Sequence, residues 1–200
     1  MAEMLPDHPP ACASLPTAHG TFAIYAHPNT SGAEPHMVLL YGNPADHSRT
    51  PLVRIHSECL TGDVFGSVRC DCGEQLDKSM ALIAERGCGV VIYLRQEGRG
   101  IGIENKLKAY YLQEQGLDTV DANLALGLPS DSRRFDAAIE VLESLGLTRI
   151  DLLTNNPAKL AALRSSGLTV SHHPLHVKAS SHASGYMQTK RVRMGHFTQA

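Results

Sequence analysis

The chain has no long apolar run and no excess of either charge. Across its 200 residues, 18 lysines and arginines face 20 aspartates and glutamates, a formal net charge of −2. There is no broad basic field to hold DNA or RNA, so nucleic acid is not expected as a partner, and a bound anion must be held by a few local groups. No stretch of about 18 apolar residues is present, so no membrane-spanning helix is expected. The opening MAEMLPDHPPACASLPTAHG lacks a basic end followed by an apolar segment and does not read as a secretory signal. Its prolines and small residues read as a flexible leader over residues 1–19. These absences point to the cytoplasm, where thiols stay reduced. The five cysteines are an odd number, which also argues against a disulfide framework.

What is present is ordinary for a globular protein: 42% hydrophobic and 19% charged residues, enough for a core without staples. The N-terminal quarter reads as antiparallel strands. GTFAIYAH, HMVLLYG and PLVRIHS are short and rich in aromatic and branched residues, with turn residues between them. A meander is expected there. From Gly73 the period changes. EQLDKSMALIAERG, ENKLKAYYLQEQG, SRRFDAAIEVLESLG and NPAKLAALRSSG read as helices, and GVVIYLR, RIDLLT and LTVSHHPL as strands. In the second of these helices Leu107, Tyr110, Tyr111 and Leu112 lie near one side. The fold class expected is α/β, a mixed sheet packed with helices. Cys12 reads as a surface thiol and Cys88 as a small buried filler. His172, His173, His176 and His182 read as solvated or structural, and the basic tail GYMQTKRVRMGHFTQA as a mobile or interface segment.

The chemistry is concentrated in RIHSECLTGDVFGSVRCDCGEQL, which begins at Arg54. Cys59, Cys70 and Cys72 can converge on one cation if the loop folds back. In an extended strand Cys70 and Cys72 would share a face. Zn²⁺ prefers soft sulfur, and three protein ligands leave a fourth tetrahedral position open, the pattern of catalytic sites. Such an ion lowers the pKa of bound water toward ~7. Two plainer readings compete: His56 closing a structural site, or three unconnected buried cysteines. The His56-Ser57-Glu58 triplet is also like the His-x-Glu of zinc deaminases, but Pro-Cys-x-x-Cys does not follow it.

Three further segments suit an anion. RQEGRGIG carries glycines at 98, 100 and 102, where backbone can approach a ligand closely. In TNNPAK a strand meets a helix start, and Lys159 is placed to reach a phosphate. In SDSRRF, Asp131 and Arg133 precede a helix that Asp131 could cap.

Taken together and in order, RIHSECLTGD, RCDCGEQL, RQEGRGIG, KAYYLQEQGLDTVDAN, SDSRRF, LLTNNPAK and KRVRMGH closely resemble GTP cyclohydrolase II over roughly Thr21 to His196. The resemblance implies a single catalytic domain over residues 20–197 that opens the imidazole ring of GTP. Formate and pyrophosphate leave, and 2,5-diamino-6-(5-phospho-D-ribosylamino)pyrimidin-4(3H)-one remains, the first step of riboflavin synthesis. It implies one zinc per chain on Cys59, Cys70 and Cys72, Mg²⁺ on the triphosphate, and a homodimer. It implies GTP contacts from Arg54, Ile55, His56, Ser57, Glu58, Gln75, Glu97, Gly98, Arg99, Thr119, Thr154 and Lys159. Tyr110, Asp131 and Arg133 would serve the chemistry, Arg133 either as a nucleophile at the α-phosphorus or only as a charge stabiliser. The segment SSHASGYMQTK matches loosely, and 200 residues leave no room for the dihydroxybutanone-phosphate synthase domain fused in many relatives. Two other outcomes stay open: an enzyme that stops at a formamidopyrimidine nucleotide, and a non-catalytic zinc or nucleotide-binding module.

Overall fold

The computed structural model describes residues 12–30, 32, 34–46, 48–129, 131–177, 193 and 195. They fall into two compact units. The first takes in the residues up to His56, Asp77–Arg95 and Phe135–Leu175; the second takes in Ser57–Leu76, Gln96–Arg134 and those from His176 on.

The first unit is built on one seven-stranded sheet. Its strands are β1 (Ala13–Thr17), β2 (Gly20–His27), β3 (His36–Tyr41), β4 (Leu52–Ser57), β5 (Gly89–Leu94), β6 (Arg149–Leu153) and β7 (Thr169–His173). The order across the sheet is β1-β2-β3-β5-β4-β6-β7. β1, β2, β3 and β5 pair antiparallel, whereas β4, β6 and β7 pair parallel. The sheet is therefore mixed, as expected, with one correction. The expected meander holds for β2 and β3, but β5 inserts between β3 and β4. Burial explains the placement. Leu52 to His56 are buried without interruption, so β4 is covered on both faces and belongs inside the sheet. β5 is likewise a near-continuous buried run, Gly89 to Ile92 and Leu94. A second difference concerns the stretch read as a flexible leader. Residues 13–17 form the edge strand β1, registered on β2 from Ala13 opposite Ile24 to Thr17 opposite Gly20.

Helices α2 (Cys72–Arg86), α5 (Asp136–Ser144) and α6 (Pro157–Ser165) supply the apolar faces that cover sheet residues. The first turn of α2 belongs to the second unit and the rest to the first. Ala138, Val141, Leu142 and Leu145 join Ile55, Ile92, Ile150, Leu152 and Leu163 in a continuous core. Helix α5 starts four residues later than SRRF suggested. Its N-cap is Phe135, so Asp131 is not the cap. Helix α6 begins as its sequence dictates: Asn156 Oδ1 accepts from the Ala158 N–H at 2.9 Å, and Pro157 occupies the first turn. Cys88 is buried and Cys12 exposed, as read.

The second unit holds α1 (Leu60–Asp63), the cysteine loop, a 3-10 turn at Glu97–Gly100, α3 (Ile103–Glu114) and α4 (Thr119–Ala125). Helix α3 inverts the expected apolar side: Leu107 and Tyr111 are 51% and 64% exposed, while Lys106 and Ala109 are buried. Helix α4 was not anticipated. It is seven residues long and capped by the Asp118 carboxylate, which accepts from the Val120 and Asp121 N–H groups. Of the basic tail, only Arg193 and Gly195 lie among the described residues, and Arg193 pairs with Asp118 at 2.8 Å. His182 lies outside them.

Candidate functional site

In the second unit the cysteine loop closes on itself. The Sγ atoms of Cys59, Cys70 and Cys72 lie within 4.8 Å of one another. Cys59 caps the start of α1, and Cys72 opens α2, so the last two cysteines do not sit on an extended strand as the Cys-Asp-Cys spacing suggested. They converge because two helix termini meet. Gly62 makes the approach possible: a Cβ there would fall 3.0 Å from Cys70 Sγ and 3.3 Å from Cys59 Sγ. Gly73 is as tightly placed, 2.4 Å between a notional Cβ and the Gly62 carbonyl oxygen. The Cys59 and Cys70 sulfurs are 3.6 Å apart. Two sulfurs bound tetrahedrally at about 2.3 Å would stand about 3.8 Å apart. The soft donors, their spacing and the glycine-lined cradle fit zinc. Among the described residues no fourth His, Cys, Asp or Glu joins the group. His56, weighed as a closing ligand, instead stacks on Tyr93 with ring centroids 5.4 Å apart.

The electrostatics favour a thiolate at Cys59 and oppose one at Cys70, whose thiol is pushed up to about 11 chiefly by its bond with Cys59, with burial adding. Hydrogen bonds from Cys70 and Cys72, with the Lys106 ammonium, hold Cys59 far below the usual thiol range. Lys106 donates to Cys59 Sγ at 3.1 Å and to Glu97 Oε1 at 2.8 Å. Burial opposes its charge, but Cys59 and Glu97 outweigh burial and push it above the ordinary lysine range. No pattern in the sequence singled out Lys106. Only its buried position on the inner face of α3 reveals it.

Glu97 is committed inside the protein. Beside Lys106, its carboxylate accepts from the Leu60 N–H at the start of α1 and from the Gly98 N–H at 2.6 Å. It ties the glycine turn to the cysteine loop. In that turn Gly98, Arg99 and Gly100 all have positive φ, of 62°, 63° and 90°. Arg99 is the one non-glycine residue with positive φ among those described. That conformation costs an L-residue roughly 1–2 kcal/mol, which marks a position held by its surroundings. The turn is fastened to the Asp131 segment by two bonds: Ser132 N–H to the Arg99 carbonyl at 3.0 Å, and Gln96 Nε2 to the Arg134 carbonyl at 2.7 Å. Two motifs far apart in the chain therefore share one loop cluster. Asp131 accepts from Arg133 Nε at 2.9 Å, from its Nη2, and from its backbone N–H at 3.1 Å. Burial would raise the Asp131 pKa, but its bonds with Arg133 outweigh that and hold the carboxyl below its ordinary range.

The Tyr110 hydroxyl lies 3.3 Å from Thr61 Oγ1, which in turn lies 3.7 Å from Cys59 Sγ. Burial raises the phenol pKa, against the opposing pull of Thr61 and Lys106. Gln75 sits on the first turns of α2 and donates to Asp71. Thr119 is the first residue of α4. Ser57 and Glu58 lead from β4 into the cluster and are half-buried.

The remaining expected contacts belong to the first unit. They collect where β4 and β6 end, the end of parallel strands that commonly holds ligands. Arg54 is 5% exposed and donates to the Leu153 carbonyl at 3.2 Å. Lys159 is also buried. Its ammonium donates to the Ile55 carbonyl at 2.7 Å and lies 5.6 Å from the Phe135 ring centroid. Thr154 follows β6 and accepts from the Asn156 N–H at 3.0 Å.

This fold and cluster define an α/β protein with a three-cysteine group that could hold a metal ion. The GTP cyclohydrolase II family model matches residues 10–174, and the chain belongs to that family. It is 49% identical over 197 residues to a GTP cyclohydrolase-2 of Neisseria gonorrhoeae, covering 98% of both proteins. It is 52% identical over 184 residues to the riboflavin biosynthesis protein RibBA of Bacillus velezensis, covering 92% of this chain and 46% of that protein. The chain thus spans about half the length of the RibBA relatives it matches. A two-domain 3,4-dihydroxy-2-butanone 4-phosphate synthase structure from A. baumannii is 17% identical with a TM-score of 0.46, over 84% of this chain and 39% of that one.

Proposed function

We propose that the chain acts as a zinc-dependent GTP cyclohydrolase II. It converts GTP to 2,5-diamino-6-(5-phospho-D-ribosylamino)pyrimidin-4(3H)-one, formate and pyrophosphate, the first step of riboflavin biosynthesis. The observation that carries this reading is the open three-sulfur cluster around Gly62 in a member of this family. Zinc on Cys59, Cys70 and Cys72 would supply Lewis acidity and an activated water for attack at C8 of the guanine. The rest of the chemistry falls to side chains. Removing C8 as formate takes up two waters, and the Tyr110 phenol, linked to the cluster through Thr61, is proposed to pass a proton in either addition. Gln75 offers an amide donor and acceptor to the guanine edge. Arg54, Ile55, His56, Ser57, Glu58, Gly98, Arg99, Thr119, Thr154 and Lys159 are the other proposed GTP contacts. With its carboxylate engaged by Lys106 and two backbone N–H groups, Glu97 is proposed to contact GTP through the turn it forms with Gly98 and Arg99. Asp131 and Arg133 act as a pair at the α-phosphorus, where a third water forms the new P–O bond as pyrophosphate leaves and Arg133 stabilises the charge that develops. Mg²⁺ accompanies the triphosphate.

The protein is proposed to work in the cytoplasm as a homodimer. No described helix is long and apolar enough to cross a membrane. Light scattering should return twice the 21.6 kDa chain mass. The deciding assay incubates the protein with GTP, Mg²⁺ and Zn²⁺ and identifies the products by mass. Release of formate and pyrophosphate with the diaminopyrimidine confirms the reading. A product that keeps the formyl carbon marks an enzyme that stops at ring opening. Unchanged GTP marks a binding module.

A further inference from the structure

We propose that Arg69 is a positioning residue for the Tyr110 hydroxyl. The inference rests on the reading that Tyr110 serves ring opening or loss of formate. Arg69 lies between α1 and α2, one residue before Cys70. Its guanidinium carbon is 4.5 Å from the centroid of the Tyr110 ring, within cation–π range. The same guanidinium donates through Nη1 to Glu114 Oε1 at 2.9 Å. Glu114 stands four residues after Tyr110 on α3, on the same face of the helix. Arg69 is thus anchored at one end by the backbone of the cysteine loop and at the other by the helix that carries Tyr110. Between the anchors its guanidinium carbon lies over the phenol ring.

The far end of the ring is fixed separately. The Tyr110 hydroxyl meets Thr61 Oγ1 at 3.3 Å, and Thr61 Oγ1 meets Cys59 Sγ at 3.7 Å. A tyrosine on a helix chooses mainly between two side-chain directions. The guanidinium over the ring favours the one that presents the hydroxyl toward Thr61 and Cys59. Lys106 also approaches the ring, at 5.7 Å, but its ammonium is committed to Cys59 and Glu97. The Arg69 guanidinium, by contrast, bears on the Tyr110 ring and on Glu114 of the same helix. A planar guanidinium can cover the ring and still donate to Glu114, a combination that an ammonium on a flexible stem holds less well.

The test compares Arg69→Met, Arg69→Lys, Tyr110→Phe and the Arg69→Met/Tyr110→Phe double variant of the full chain. Each is assayed for formate, pyrophosphate and bound metal. Arg69→Met should release formate roughly tenfold more slowly, keep pyrophosphate release within about twofold, and retain its metal. Arg69→Lys should recover little of the loss. In the Tyr110→Phe background, Arg69→Met should cost nothing further, because the hydroxyl it positions is already gone. Glu114→Gln, a change at an exposed side chain, should give a weaker form of the same partition and decides the matter if Arg69→Met loses metal. The inference fails if Arg69→Met leaves formate release intact, lowers both products together with metal retained, or costs as much again without the hydroxyl. If Tyr110→Phe alone lowers both products equally, the reading of Tyr110 fails, and the inference with it.

Discussion

At the scale of single residues, the cluster depends on what is missing at Gly62 as much as on the sulfurs. A Cβ there meets Cys70 Sγ at 3.0 Å and Cys59 Sγ at 3.3 Å, tighter than most packed contacts, so the sulfurs must give way slightly. Gly62→Ala is expected to lower bound zinc well below one per chain and to reduce formate release in parallel. Elemental analysis of purified protein checks this. Cys72→Ser should lose both almost completely; an active metal-free Cys72→Ser would refute the zinc assignment. The Asp131–Arg133 pair calls for a different test. A guanidinium with a pKa above about 12 has no free lone pair, and here both its Nε and Nη2 point at Asp131. That geometry favours charge stabilisation over nucleophilic attack. Arg133→Lys should keep measurable pyrophosphate release with no covalent nucleotide in single-turnover experiments; a trapped nucleotide on Arg133 in the unmodified protein would reverse the assignment. Because Arg133 holds Asp131 below its ordinary pKa, the pair is intact above the ordinary carboxylate range. Its contribution is lost only as pH falls through the lower folded value.

At the scale of elements, two contacts test how the sheet holds together. His36 opens β3 and is buried; its Nδ1 accepts from the Arg95 N–H at 3.0 Å, just past β5. Burial lowers its pKa, His27 and Arg95 add to that, and Glu140 opposes it. A histidine depressed on folding contributes stability above its unfolded pKa, and that contribution is lost as pH falls. Between pH 7.5 and 5.5 the wild-type melting temperature should therefore fall more steeply than that of His36→Gln. Equal slopes would show that His36 does not titrate across folding. Gly89 is the second test. A Cβ there would stand 2.2 Å from the Leu52 carbonyl oxygen, where β4 and β5 adjoin. Gly89→Ala must displace backbone, so a large loss of stability or of soluble protein is expected.

At the scale of the whole molecule, the buried core lies in the sheet unit and the proposed chemistry in the cysteine unit. Leu152 is fully buried in the core. Leu152→Ala should cost about 2–5 kcal/mol and lower the melting temperature by roughly 4–20 °C for a chain of this length. A shift of a degree or less would mean the site collapses without loss. The near-balanced charge carries its own expectation: GTP should bind with a modest salt dependence set by a few cations, unlike the steep dependence of a nucleic-acid groove.

The sequence alone determined the pieces whose signals are local. Strands such as GVVIYL announce themselves by composition, helix α6 by Asn156 and Pro157, and the candidate metal site by three cysteines close together in the sequence. What it could not decide was order and proximity. The place of β4 beyond β5 follows from burial on both faces, which depends on strands far away in the chain. Lys106 looks like a surface lysine until α3 turns it toward Cys59 and Glu97, and Leu107 and Tyr111 look like core until the same rotation exposes them. The bond between Ser132 and Arg99 joins two motifs 33 residues apart, counting from Arg99 to Ser132. Local propensity reads spacing within a few residues. Which distant groups share a charge, a hydrogen bond or a face is settled by packing the whole chain.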